Sequence, residues 1–349
     1  MLDLSFNRTE TPNAAGYTLF GKLPNRADFV RVNANHPVIL GFDGFIQRVL
    51  ERMASETRSS EDLGPGSTVD FQYVSRDQRS VLIGVLVPSQ DQAGRRYPLV
   101  AALILPCDAM LGSLPVSPIA FEVFFDGLRE QVVNAVENSV EALSCRQYLE
   151  TSLRRFEMAA EDFQLARSVV ERYMSVQPAW RMADLLAAGA PQAALQQALL
   201  NIAFYQAHLH RFDNSATNQL FLLPLSGNKG EQSLIASSWL AVLAALWNAT
   251  EPTASWLGSY LLLRRPGEDA QLVASVGRIP DSFGNVLLGG KAERPMVLDL
   301  GAEQEAWTSH RMYAEASYAL GRFLSDPDCR ISMLCSFLRD MSRQLVGNV

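Results

Sequence analysis

The residues from Phe221 to Gly230 have the types and order that could bind phosphate. An apolar run, Phe221-Leu222-Leu223-Pro224-Leu225, is followed by Ser226-Gly227-Asn228-Lys229-Gly230 and then by a second apolar run. A strand, a glycine-bearing loop and a helix N-terminus in that order present backbone N–H groups to an anion. A nucleotide-binding P-loop needs two glycines around four residues and then Lys-Ser/Thr, whereas here Lys229 precedes Gly230. The same residues therefore also read as an ordinary turn, and nucleotide sensing at Lys229 stands as an alternative function. His208 and His210 share a helical stretch, where residues two apart point to nearly opposite sides, so they make a poor metal pair. His36 before Pro37 and the isolated His310 read as structural or exposed. There is no His-Glu-x-x-His, no paired-cysteine motif and no Gly-x-Ser-x-Gly elbow. Four histidines leave few candidates for a general base. The sequence thus points to a non-enzymatic protein without metal or cofactor.

A second kind of site is spread over two blocks in the first third of the chain. The first holds Gly21, Lys22, Leu23, Pro24, Arg26, Asp28, Phe29 and Arg31; the second holds Pro88, Ser89, Asp91, Gly94, Arg95, Tyr97 and Pro98. Pro24 and Pro98 fix turns and Gly94 permits a tight one, while Asp28, Asp91 and Arg95 could tie two adjacent loops by charge-assisted hydrogen bonds. These fifteen positions are the candidate partner-binding or motif residues. Carboxylates elsewhere, such as Glu161-Asp162 and Asp326 with Asp328, sit where caps and turns need them. The acidic stretch with Glu56, Glu61 and Asp62 reads as a solvated loop.

The elements that must position these residues follow from periodicity. Gly16 to Phe20 reads as a strand, and Val38, Phe42, Phe45, Ile46, Val49 and Met53 recur at helical spacing after Pro37. Val69 to Val74, Val81 to Val87 and Tyr97 to Leu105 are strand candidates for an antiparallel meander. From Ser117 the period becomes helical, with Phe121, Phe124, Phe125, Leu128, Val132 and Ala135 on one stripe, and helical character continues for about ninety residues. Strands return at Gln219 to Leu225, Leu257 to Leu263 and Gln271 to Val276, with an apolar helix around Trp239 to Trp247 between the first two. Two amphipathic helices close the chain, one through Tyr313, Ala316, Leu320 and Phe323, the other through Ile331, Leu334, Leu338, Met341 and Leu345. The expected fold is α+β: a central, mostly antiparallel sheet flanked by helices, with a helical block between strand-bearing regions and a C-terminal helical pair. The corresponding divisions are residues 1–116, 117–215 and 216–349, forming one unit overall.

Composition narrows the class of partner. The chain has 349 residues, 48% of them apolar, and a formal charge of −7, which argues against a surface built to neutralise nucleic-acid phosphates. The four cysteines have no framework or metal-ligand spacing, which fits a reducing compartment. Met1 to Glu10 lacks the features of a secretory signal, and no apolar stretch reaches the roughly 20 residues that span a bilayer. The expectation is a cytoplasmic protein with no membrane span.

The two blocks resemble the TagF/ImpM family associated with type VI secretion. In that family the first block commonly reads Gly-Lys-Leu-Pro, a small polar stretch and Asp-Phe-Val, matched here by Gly21-Lys22-Leu23-Pro24 and Asp28-Phe29-Val30. The second commonly reads Pro-Ser-x-Asp-x-x-Gly-Arg-x-Tyr/Phe-Pro-Leu, matched here from Pro88 to Leu99. Ala27 stands where the family usually has glycine, so its backbone should not need a positive φ. Ser255-Trp256-Leu257 and Gly277 to Phe283 echo later family segments, while the block from Ser117 to Arg211 is more helical than the family pattern. The resemblance implies a post-translational regulator of type VI secretion, in sign a repressor, that acts in the cytoplasm by contacting the forkhead-associated scaffold protein Fha. A structural adaptor of the type VI baseplate or membrane assembly is the other protein-binding alternative.

Overall fold

The computed structural model describes residues 15–55, 66–110, 112–138, 142–156, 160–186, 191–209, 220–247, 258–275, 297–299 and 307–347. The chain enters through β1 (Gly16–Gly21), β2 (Val30–Val32) and α1 (Pro37–Ser55). It continues through β3 (Thr68–Val74), β4 (Ser80–Val87) and β5 (Leu99–Pro106). The helical stretch comprises α2 (Cys107–Met110), α3 (Ser117–Ala120), α4 (Glu122–Glu137), α5 (Leu143–Phe156), α6 (Ala160–Val176), α7 (Trp180–Ala183) and α8 (Pro191–Leu209). Then come β6 (Leu220–Pro224), α9 (Gln232–Trp247), β7 (Ser259–Arg264), β8 (Gln271–Ser275) and β9 (Val297–Asp299). The helices α10 (Tyr313–Leu324) and α11 (Ile331–Gly347) follow.

All nine strands join one sheet in the order β2-β1-β5-β4-β3-β7-β8-β6-β9. Each pairing is antiparallel except β6 with β9. The fold is therefore α+β with a mostly antiparallel sheet. The late strands are not appended at the β2 edge. They enter through β7, which pairs with β3 in the register Asp70↔Leu262.

Both faces of the sheet are covered, which is why β4 (SVLIGVLV) reads as a continuous apolar run. On one face Phe42, Phe45, Ile46 and Val49 of α1 pack on Phe20, Phe71, Tyr73, Leu82 and Leu86. On the other face the helices form two separate cores. Phe121, Phe125, Leu128 and Val132 cover Val81, Ile83, Val85 and Leu103. The helices α8, α9, α10 and α11 cover Phe221, Tyr260, Leu262 and Leu272 around fully buried Trp239. The α9 segment is apolar all round because neighbours surround it, and Trp239 places its indole N–H on the Pro224 carbonyl at 3.0 Å.

Three details depart from the periodicity reading. The strand expected from Tyr97 begins at Leu99, because Pro98 has no N–H for the ladder and the Tyr97 side chain turns toward α1. The helix expected from Ser117 is broken at Phe121, whose φ of −103° and ψ of 7° separate α3 from α4. Gln219, the acidic stretch with Glu56, Glu61 and Asp62, and the segments Ser255-Trp256-Leu257 and Gly277 to Phe283 lie outside the described residues.

Candidate functional site

The two motif blocks are adjacent loops, one joining β1 to β2 and the other β4 to β5. Asp91 is the residue that locks them. Its carboxylate is fully buried and accepts from the Lys22 ammonium at 2.9 Å and from the Arg95 Nε at 2.7 Å. It also accepts from the backbone N–H groups of Ala93 and Arg95 at 3.0 and 2.9 Å, closing the turn around Gly94. Burial pushes the Asp91 carboxyl up, but the hydrogen bonds from Lys22 and from the Arg95 backbone and side chain outweigh it. They hold the group well below the usual carboxylate range.

Further bonds tie loop to loop. Ser89 Oγ donates to the Lys22 carbonyl at 2.7 Å, the Gln92 N–H to the Arg26 carbonyl at 3.0 Å, and Arg95 Nη2 to the Ala27 carbonyl at 3.2 Å. The tie expected to include Asp28 is made instead by Lys22, whose ammonium supplies the positive charge that the buried Asp91 carboxylate needs. Asp28 is exposed and stands outside the network. Ala27 is not among the described residues with positive φ, so the missing glycine costs the loop nothing.

Phe29, Arg31 and Tyr97 form a second lock, against α1. The Phe29 and Tyr97 rings meet edge-on at 4.9 Å, and the Arg31 guanidinium lies 4.8 Å from the Phe29 ring centre. Tyr97 donates its hydroxyl to the Asp43 carboxylate, which Arg31 also pairs at 3.3 Å. Burial, reinforced by the hydrogen bond to Asp43 and its charge, pushes the Tyr97 phenol up and keeps it protonated as a donor. Nothing in the sequence marked Asp43 except its place on α1, one residue beyond Phe42 on the core stripe. Leu23 is buried, while Pro24, Pro88 and Ser89 stand half-buried at the turns.

Outside the locks, next to exposed Asp28, the loops are mainly cationic. Arg26, Arg95 and Arg96 are exposed, the Arg95 side chain at 65%, and Arg31 is half-exposed beside them. The rim is held on buried carboxylates and presents guanidinium groups to solvent. These loops, the helix α4 and most of α5, which back their strands, fall within one recognisable unit. Residues 18–152 match the TagF N-terminal domain, which is type VI secretion system-associated. The TagF match thus takes in both motif blocks. Another similarity is to the crystal structure of PA0076 from Pseudomonas aeruginosa PAO1, at 22% identity and a TM-score of 0.31. It covers 39% of this chain and 61% of that one, less than two thirds of PA0076. No curated protein matches the chain.

The other sequence candidates are placed as follows. His36 accepts the Val38 N–H on Nδ1 at 3.3 Å and His310 accepts the Met312 N–H at 3.2 Å, both at helix starts. The His208 side chain and His210 lie outside the described residues. Among the described residues no group of three or more histidines, cysteines or acids could hold a metal ion, and no helix is long and apolar enough to cross a membrane. The loop at Ser226 to Gly230 is closed by its own side chains: Asn228 accepts the Gly230 N–H at 3.1 Å and Ser226 accepts the Asn228 N–H at 3.1 Å. Lys229 is left pointing out of that turn, exposed.

Proposed function

We propose that this protein is a non-enzymatic, cytoplasmic regulator of type VI secretion, a repressor in sign, that works by binding the Fha scaffold through the paired loops of its TagF-like region. The observation that carries the reading is the arginine rim, Arg26, Arg31, Arg95 and Arg96, on a chain whose net charge is −7. A basic edge on an acidic protein favours an acidic protein partner. The rim is also pre-organised, since Asp91 and Asp43 fix the loops beneath it. A rigid loop loses less conformational freedom on association than a mobile one.

The test is capture from native cytoplasm by the tagged full chain, compared with Arg26→Glu/Arg96→Glu. Both side chains are exposed, and the melting temperature of the variant checks that its fold is retained. Recovery of Fha by the wild type and its loss by at least about tenfold in the variant supports the reading. Recovery of baseplate or membrane-complex proteins in place of Fha moves the protein to the adaptor class. Equal recovery of Fha by both proteins removes the rim from the contact.

A further inference from the structure

The helical face of the sheet carries a polar seam between its two cores. Thr68, Asp70 and Gln72 of β3 face the helices there, and Asp70 is fully buried. Two guanidinium groups converge on it from different elements. Arg129 of α4 bonds both carboxylate oxygens, Nε at 3.2 Å and Nη2 at 2.7 Å. Arg264 at the end of β7 pairs with the same carboxylate and donates its Nε to Gln232 Oε1 at 3.2 Å, in the first turn of α9.

Over this trio opens a cleft of about 620 Å³. Its walls are the start of α4, the Ser226 to Gly230 loop with the first turn of α9, and the turn between β7 and β8 that carries Arg265. Charge is unevenly distributed within it. Arg129, Arg264 and Arg265 are largely withdrawn from solvent, with side-chain exposures of 21%, 22% and 23%, and one buried carboxylate answers them inside. The other acids of the lining are Asp126 and Glu268, 65% and 60% exposed at the mouth where water screens them, together with exposed Asp269 and half-buried Glu122, so that over the whole lining five acids face four bases. Lys229 reaches into the same opening and has no ion-pair partner among the described residues. Among the largely buried groups alone, the three arginines face Asp70 and half-buried Glu122, so that inner layer carries a single excess positive charge.

We propose that this cleft binds a phosphate-bearing small molecule of nucleotide size. Guanidinium groups fixed by a buried carboxylate present spare N–H donors in a set geometry, the arrangement that suits phosphate oxygens. The volume falls within the usual 300–1,000 Å³ of small-molecule sites, so a lone inorganic anion leaves most of it empty. In the bound state the phosphate lies between Arg264 and Lys229 at the entrance to α9, and the remainder of the molecule runs along α4. Recognition is not by a P-loop: Gly230 gives its N–H to Asn228, so Lys229 and Arg264 take the leading role. The site is built from residues other than those of the arginine rim and does not rest on the regulator reading.

The experiment is thermal shift and titration calorimetry on the full chain at low salt, with orthophosphate, pyrophosphate, AMP, ATP and GTP as probes. Sulfate at equal ionic strength is the control. A nucleotide should raise Tm by about 3 °C or more at saturation, and Lys229→Glu should weaken its Kd about tenfold while leaving the ligand-free Tm unchanged. Arg264→Gln, which keeps a polar partner for Gln232, should weaken binding further if it folds. No shift with any phosphate compound overturns the proposal. So does an equal shift with sulfate, or a nucleotide shift undiminished in Lys229→Glu.

Discussion

The Cα of Gly21 and the carbonyl oxygen of Pro98 are so close that no side chain fits between them. A Cβ on Gly21 would fall inside van der Waals contact of that oxygen and 2.8 Å from the Leu99 Cα, and the backbone there has φ of +132°. The first glycine of one motif block is thus required by the proline of the other, because β1 crosses the start of β5 at this point. Gly21→Ala should destabilise the fold by about 3 kcal/mol, from steric overlap added to a strained backbone. Urea unfolding measures it. Gly94 is the contrast, with φ of +78° and open space around its missing Cβ. Gly94→Ala should cost only about 1 kcal/mol.

Asp91 should hold its loops down to strongly acidic pH. A carboxyl whose folded pKa is depressed contributes stability at every pH above its ordinary value, 3.8 here, and that contribution is withdrawn as pH falls below it toward the folded value. Hydrogen exchange should show the Ala93 and Arg95 amides protected at pH 5 and about tenfold faster in Asp91→Asn at the same pH. If the variant exchanges like the wild type, the carboxylate is not the anchor.

Removing Asp70 alone should be costly. Asp70→Leu leaves Arg129 and Arg264 withdrawn from solvent without their shared counter-charge, an expected loss of about 3–5 kcal/mol by urea unfolding. Asp70→Leu/Arg129→Met/Arg264→Met should recover most of that loss, since it removes the whole trio together. A single variant as stable as the wild type would show that the trio contributes nothing to folding.

The four described cysteines are all buried and free. Burial pushes the thiols of Cys107, Cys145 and Cys329 up to about 11 and that of Cys335 up to about 12. A thiol-reactive dye at pH 8 should label the native protein by less than one equivalent in minutes and the urea-unfolded protein by four. A group whose folded pKa is raised supports the fold fully below its ordinary value, and that support is lost as pH rises through the folded one. Melting temperature should therefore decline as pH climbs from about 9 to 11.

The elements were legible wherever one period persisted. Val38 to Val49 announced α1 and the run from Val81 to Val87 announced β4, because burial on one side or on both leaves a pattern in neighbouring residues. The turns at Pro24 and Gly94 were legible for the same local reason, while Pro98 stands in irregular backbone just before β5. Partnership was not. Lys22, Arg26 and Arg31 are all cations of one loop region, and only the position and reach of the side chain decide that Lys22 meets Asp91. Asp43 and Asp70 carry no motif, since an acid in an apolar stretch looks the same whether it faces water or two buried arginines. In TVDFQYV, Asp70 sits at a regular polar position of an alternating strand, so the pattern reads as a solvated face although that face is buried.

The junction of β3 with β7 sets an order for biosynthesis. As the chain leaves the ribosome, the segment matched by the TagF N-terminal domain is complete at residue 152, yet the free side of β3 stays bare until Ser259–Arg264 has emerged. Through that interval the nascent chain exposes an unpaired strand edge beside a carboxylate whose second arginine has not been made. A fragment ending at 152 would keep that edge of β3 unpaired and Asp70 with Arg129 alone.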